Sequence, residues 1–308
     1  MSQSKSQHSE QQDIFIFDSI YPDAGAIFTE LPDNLEATKS KALVVLDTNT
    51  LFVPYEIGKD SLEQIKKTYK LLVKKGRLII PGQVAREFAK NRANKITQVY
   101  QRINQKRNST SELQMGQYPL LEALNEYQEA REIEKEINEK IKIYRSKIGA
   151  LLDKVKDWNW DDPVSLLYND VFKPDCIFDP KFDKESVEHE LNFRYQNKIP
   201  PGYKDAKKED KGIGDYLIWK TILEVGRINK KPVILVSGDE KIDWRHKVDG
   251  QSLYPRYELI DEFRRKSEGQ TFHLVHFSEF LSLFGASEDA VSEVRQKEQD
   301  HSLKTLEA

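Results

Sequence analysis

Residues 42–50 read ALVVLDTNT. Five apolar side chains in a row end at Asp47, and the acid is followed by Thr-Asn-Thr. An unbroken apolar run of this length, without polar alternation, predicts a strand buried on both faces, as in a parallel sheet. Working outward, the same grammar recurs. Leu62, Ile65, Tyr69, Leu72 and Val73 predict a helix over 60–75, and Arg77–Ile80 a second strand stopped by Pro81-Gly82. A helix from Gln83 carries Val84, Phe88, Ile96, Val99 and Ile103 on one side. Downstream, 215–227 is a helix, Val233–Val236 a third strand, 256–267 a helix, Phe272–Val275 a fourth strand and 278–284 a short helix. Strand–helix alternation with continuous apolar strands specifies an α/β sandwich around a mostly parallel sheet.

The chain has 308 residues with 48 basic against 51 acidic side chains, so no global positive field marks a nucleic-acid binder and any such surface is local. No apolar run approaches the length of a membrane span, and the start, MSQSKSQHSEQQ, lacks the apolar stretch of a signal peptide. One cysteine, Cys176, excludes an internal disulfide and a zinc ribbon. These features predict a cytoplasmic protein that neither enters nor spans a membrane. Residues 1–40 read as an N-terminal arm, partly disordered in its first dozen residues and irregular over 14–40, and 286–308 as a polar C-terminal tail or frayed helix.

Between the α/β halves, from Leu120 to Val155, apolar residues recur three and four apart among Glu, Lys, Arg and Gln. This is a long amphipathic helix with coiled-coil character, whose natural partner is the helix of 83–107. The α/β core is thus expected at 41–99 and 206–285, interrupted by a helical and loop-rich insertion at 100–205. The hairpin of 83–155 is a candidate surface for a homo-oligomer or a protein partner.

The chain lacks a phosphate-binding G-x-x-x-x-G-K-[ST] loop, a G-x-G-x-x-G turn and a G-x-S-x-G elbow. His273 and His276 lie three apart in or beside a strand, which points them to opposite faces. What remains is acids. Asp47 closes one strand and Asp239 follows another within three residues, so both reach the carboxyl edge of the sheet, where α/β proteins bind ligands. Glu87 sits one turn into the helix after the second strand. Asp215 opens a helix whose entrance is expected to face the other edge unless the chain bends back, so geometry leaves it open. Each acid could be a plain cap or turn residue. Several acids converging repel one another unless a cation neutralises them, and an oxygen-only donor set selects Mg²⁺ or Mn²⁺ and phosphate-ester chemistry. A phosphatase of the D-x-D type fits poorly, because Asn49 stands where its general acid belongs.

Four segments resemble, in order, the motifs of PIN-domain nucleases: VVLDTNTL (44–51), RLIIPGQVAREF (77–88), IPPGYKDAKKEDKGIGDYLIWKTILE (199–224) and KPVILVSGDEKIDW (231–244). The third carries the P-P-G-Y-x-D and G-D-x-x-x-W patterns of a bacterial PIN-like branch. The resemblance implies a three-layer α/β/α sandwich with a long helical-hairpin insertion, and a metal-binding, catalytic set of Asp47, Glu87, Asp215 and Asp239. Asn49 and Ser237 match positions that orient the acids; Asp205 and Asp243 match positions of less defined role. Gly238 stands where this branch often has a second Asp. The implied activity is a metal-dependent hydrolase: an endonuclease using Mg²⁺ or Mn²⁺, with single-stranded RNA favoured over DNA and a place in antiphage defence. A non-catalytic adaptor on the same fold is the alternative from another class. Basic residues beside the acids, Arg86 and Lys90, Lys207, Lys208 and Lys211, and Arg245, are the candidate phosphate contacts. Tyr203, Trp219 and Trp244 are candidates for base stacking, with Trp219 at core spacing.

Overall fold

The ALVVL run does become a central strand. β1 (Leu43–Leu46) is buried along its whole length and lies between two parallel neighbours, β2 (Leu78–Pro81) and β4 (Val233–Val236). The computed structural model describes residues 14–238, 241–248 and 251–306. β7 (Phe272–Val275) flanks β4, and a two-residue strand, β3 (Ile177–Phe178), flanks β2, giving the order β3-β2-β1-β4-β7 with every pairing parallel. In register, Leu46 stands opposite Val236, and Val236 opposite Val275. Asp47 and Ser237 therefore leave the sheet side by side at its carboxyl edge. The chain contacts separate into one unit of residues 1–89 and 171–308 and a second of residues 90–170.

In the first unit, helices in two groups sandwich the sheet. One group is α4 (Lys59–Lys74), α11 (Phe277–Leu283) and α12 (Glu288–Leu306). Tyr69 packs its ring against Phe277 and Phe280, and Glu293 caps α4 by accepting from the Gly58 amide (2.8 Å) and Ser61 (2.5 Å). The other group is α9 (Ile213–Asn229) and α10 (Tyr257–Lys266), with Trp219 and Phe263 against Phe272 of β7. Gly226 permits their close approach, since a Cβ there would meet the Phe263 ring at 2.5 Å. The result is the α/β/α sandwich.

Several elements differ from the sequence reading. The arm forms short helices, α1 (Ile16–Ile20), α2 (Ala26–Thr29) and α3 (Leu35–Thr38), tied to the sheet and α10. Thr38 Oγ1 meets His273 Nε2 at 2.9 Å, the Asp33 amide donates to Thr271, and Arg264 pairs with Glu30. The C-terminal segment is a helix, α12, which packs on α4 and α11 and buries Ala290, Val291 and Val294. The second unit runs from Lys90 to Asp170, where the insertion is read at 100–205. The chain from Val171 onward, with β3 and α8 (Lys184–Gln196), contacts the sheet unit, because β3 adds to the open edge of β2. A hairpin of β5 (Arg245–Val248) and β6 (Gln251–Pro255) had no expectation at all; it is short and mostly polar, without alternation to betray it.

The second unit contains the far part of α5 (Gly82–Ser109), α6 (Asn125–Lys156) and most of α7 (Pro163–Val171). Its anchor is Arg92, buried at 6% exposure, which reaches Asp162 at 2.5 Å and Ser165 at 2.8 Å and lies over the Trp160 ring at 4.5 Å. Asp162 also caps α7 through the Val164 and Ser165 amides. The expected pairing of the two long helices is only partial. Arg107 abuts Gly149, and Lys156 lies over the Tyr100 ring, so α5 covers the last turns of α6. The first half of α6 is covered by a strap of extended chain. Leu113 exchanges two hydrogen bonds with Asn138, the Met115 amide donates to Glu134 (2.8 Å), and Tyr127 donates to the Gly116 carbonyl (3.2 Å).

Candidate active site

At the end of β1 the chain turns sharply into a 3₁₀ helix, Thr48–Tyr55, which Asp47 caps: its Oδ1 accepts from the Thr48 amide at 2.6 Å. The bland role and the functional one are thus both available to this side chain. Its other oxygen, Oδ2, accepts from Asn49 Nδ2 (2.7 Å) and from Ser237 Oγ (2.5 Å), so β1 and β4 are cross-braced through the carboxylate. Asn49 also donates to Ser237 (3.1 Å) and accepts from the Gly238 amide (2.9 Å).

Thr48, which the sequence reading passed over, carries the next link. Its hydroxyl donates to Glu87 Oε2 at 2.5 Å, and Gln83, one turn earlier on α5, donates to Glu87 Oε1 at 2.8 Å. Glu87 in turn lies against Gly214: a Cβ on that residue would come within 2.3 Å of Oε1. The next residue is Asp215. Three acids from three distant stretches of sequence, Asp47, Glu87 and Asp215, are therefore neighbours through Thr48 and Gly214.

The doubt over Asp215 rested on a wrong direction. α9 leads into β4 through a three-residue connection and runs antiparallel to it. The start of α9 therefore lies at the carboxyl edge with the other acids. Asp215 Oδ2 accepts from Lys241 Nζ (2.9 Å), and the same ammonium reaches Asp205 at 2.7 Å. Burial would raise the Asp205 carboxyl, but its hydrogen bonds from Lys208 and Lys241 outweigh this and hold it below its ordinary value. Lys241 was missed because nothing distinguishes one lysine from another in a lysine-rich chain.

Asp239 lies outside the described residues. Among the described residues no group of three His, Cys, Asp or Glu side chains closes into a metal-holding set. The donor chemistry nonetheless fits a hard divalent cation. Asp47, Glu87 and Asp215 offer carboxylate oxygens, without imidazole or thiolate, and their mutual repulsion is offset here by donors and by the Lys241 ammonium.

The family-patterned flanks build the scaffold behind this edge. Asp243 is fully buried and accepts from the Gly202 amide at 2.8 Å and the Lys204 amide at 3.4 Å, pinning the Pro-Pro-Gly-Tyr turn; burial pushes its carboxyl up. Arg194 reaches the Pro200 carbonyl and both oxygens of Glu262 (2.9 Å each), and Trp219 Nε1 donates to Glu262 at 2.8 Å. Trp219 and Trp244 meet edge to face at 6.2 Å, both buried. Trp244 is therefore core and not a stacking surface, because the turn after Asp243 folds inward. Arg245 is likewise buried, its guanidinium on the Leu274 carbonyl (2.9 Å), so it is not placed for phosphate. Of the remaining basic candidates, all exposed, Arg86 pairs with Asp179 (2.5 Å), Lys208 with Asp205 (2.7 Å) and Lys211 with Glu188 (3.5 Å); Lys90 and Lys207 are exposed as well.

A parallel α/β/α sandwich with acids gathered at its carboxyl edge is a nuclease-type fold. The sequence model of the family described as PIN like domain matches residues 43–259, and the chain belongs to that family. No curated protein and no solved structure matches the chain. No described helix is long and apolar enough to cross a membrane.

Proposed function

We propose that this protein is a metal-dependent endonuclease acting on single-stranded RNA, with Asp47, Glu87, Asp215 and Asp239 as its acidic set and Mg²⁺ or Mn²⁺ as its cofactor. The observation that carries the reading is the chain of contacts from Asp47 through Thr48 to Glu87 and on to Gly214 and Asp215. Such convergence of acids at a sheet edge has little structural purpose, because like charges brought together cost stability unless a cation joins them. A divalent cation held there supplies Lewis-acid stabilisation of the phosphodiester charge in the transition state. The chain's own residues do the orienting. Asn49 and Ser237 fix the Asp47 carboxylate, while Thr48 and Gln83 fix Glu87. Lys241 holds Asp215 beside Asp205. Exposed Arg86, Lys90, Lys207, Lys208 and Lys211 are the proposed phosphate contacts, which bind the backbone without reading bases. A role in antiphage defence belongs to this proposal through the family resemblance.

The test is end-labelled single-stranded RNA and DNA of one sequence, incubated with the protein and Mn²⁺ or with chelator, beside Asp47→Asn. Cleavage of RNA that needs the metal and Asp47 is expected. Faster cleavage of DNA would transfer the activity to that substrate, and no cleavage of either with Mn²⁺ would leave the adaptor reading.

A further inference from the structure

The long helix α6 carries two features that its partners within residues 90–170 leave unused. Tyr127, Ile148, Leu152 and Val155 are buried on one side, but Ile133, Ile137, Tyr144 and Leu151 are 39–56% exposed. At about 100° per residue those four side chains fall within about 40° of one another, a straight apolar line roughly five turns long. The second feature is charge. Residues 125–139 hold six glutamates against two basic residues, and residues 140–156 hold six basic residues against Asp153 alone. The helix dipole favours acids at the start and cations at the end, but only within the first and last turns. An acidic run that reaches Glu139, about four turns in, has another cause. Bonds within the helix consume only a few of these charges: Arg131–Glu134, Glu139–Lys142 and Asp153–Lys156.

We propose that α6 is the interface of an antiparallel homodimer, in which a second copy of this chain lays its own α6 along the exposed line. Antiparallel pairing about a two-fold axis sets the acidic half of each helix against the basic half of the other, whereas parallel pairing sets like against like. The axis falls near residue 142, midway between Ile133 and Leu151, and brings Tyr144, half exposed and on the line, beside its own copy. The inference is independent of the nuclease reading, since it uses no residue of the acidic site.

The experiment is sedimentation of the full chain over a range of concentrations. The expected result is a rise toward twice the chain mass of 35.9 kDa, weakened by salt because the pairing is partly electrostatic. Ile137→Asp with Tyr144→Asp changes two exposed side chains and is expected to leave the circular dichroism spectrum unchanged while abolishing the dimer. Glu132→Lys, Glu136→Lys and Glu139→Lys combined, and separately Lys140→Glu, Lys147→Glu and Lys154→Glu combined, each give monomers; mixed, they give a one-to-one heterodimer. Mild oxidation settles direction. Tyr144→Cys cross-links to its own copy, and Glu129→Cys does not; the native Cys176 is buried. A monomer at every concentration, a dimer indifferent to the charge variants, or efficient cross-linking of Glu129→Cys would each overturn the proposal.

Discussion

Replacing Gly214 by alanine separates the site from the fold. Gly214 is the second residue of α9, and at a helical position glycine to alanine ordinarily stabilises by about 0.4–1 kcal/mol, because the unfolded chain loses freedom. Here the added Cβ arrives 2.3 Å from Glu87 Oε1, with Gln83 Nε2 at 3.6 Å. Ordinary contact begins near 3.4 Å, so the carboxylate must retreat by roughly 1 Å. It is the far end of a flexible side chain and can do so at modest cost, stretching its bonds from Thr48 and Gln83. The two effects on stability nearly cancel, and a melting temperature close to wild type is expected. Catalysis is less forgiving, since a misplacement of about 1 Å in a catalytic group costs about 100-fold. Single-turnover cleavage of a fluorescent single-stranded oligonucleotide, with Mn²⁺ titrated over a wide range, reads both rate and metal requirement. A folded Gly214→Ala variant that cuts within threefold of wild type at the same Mn²⁺ midpoint would refute the claim that Glu87 works against the start of α9.

Asp47→Asn, and likewise Asp239→Asn, is expected to abolish cleavage while keeping the fold. Wild type should gain about 2.7 kcal/mol of stability at a Mn²⁺ concentration a hundredfold above Kd, and the variants much less; identical melting shifts would count against a shared metal. Arg194→Met strands Glu262 with only Trp219 as donor and should cost about 3–5 kcal/mol in urea denaturation, part of it recovered by adding Glu262→Gln. His273 is held below its usual 6.5 by burial, with Asp33 opposing weakly. As pH falls from 6.5 toward the folded value the unfolded chain takes up a proton that the native state refuses. Stability therefore drops over that window, by at most about 1.4 kcal/mol per pH unit. His273→Gln, which keeps a partner for Thr38, should flatten the slope, and an unchanged urea midpoint profile between pH 7.5 and 5 would contradict it.

What the linear order of residues determined is local and periodic. Four short, mostly apolar runs, each too short for a helix, became parallel strands within one residue of their expected ends. Helical spacing placed α4, α9, α10 and α11 closely, because burial of one face is written every three or four residues. Asp47 could be put at the carboxyl edge for the same reason, since it directly follows a strand. Tertiary structure decided everything that depends on direction or on what lies opposite. Asp215 joined the acids because α9 runs antiparallel to β4, and Thr48 and Gly214 became links because their neighbours come from elsewhere in the chain. Trp244 and Arg245 turned inward under a hairpin whose polar strands carry no period. The tail helix found a groove between α4 and α11. The first half of α6 took a strap in place of its expected helical partner, and that left one apolar line exposed. Sequence period records which face a residue occupies; only packing determines what that face meets.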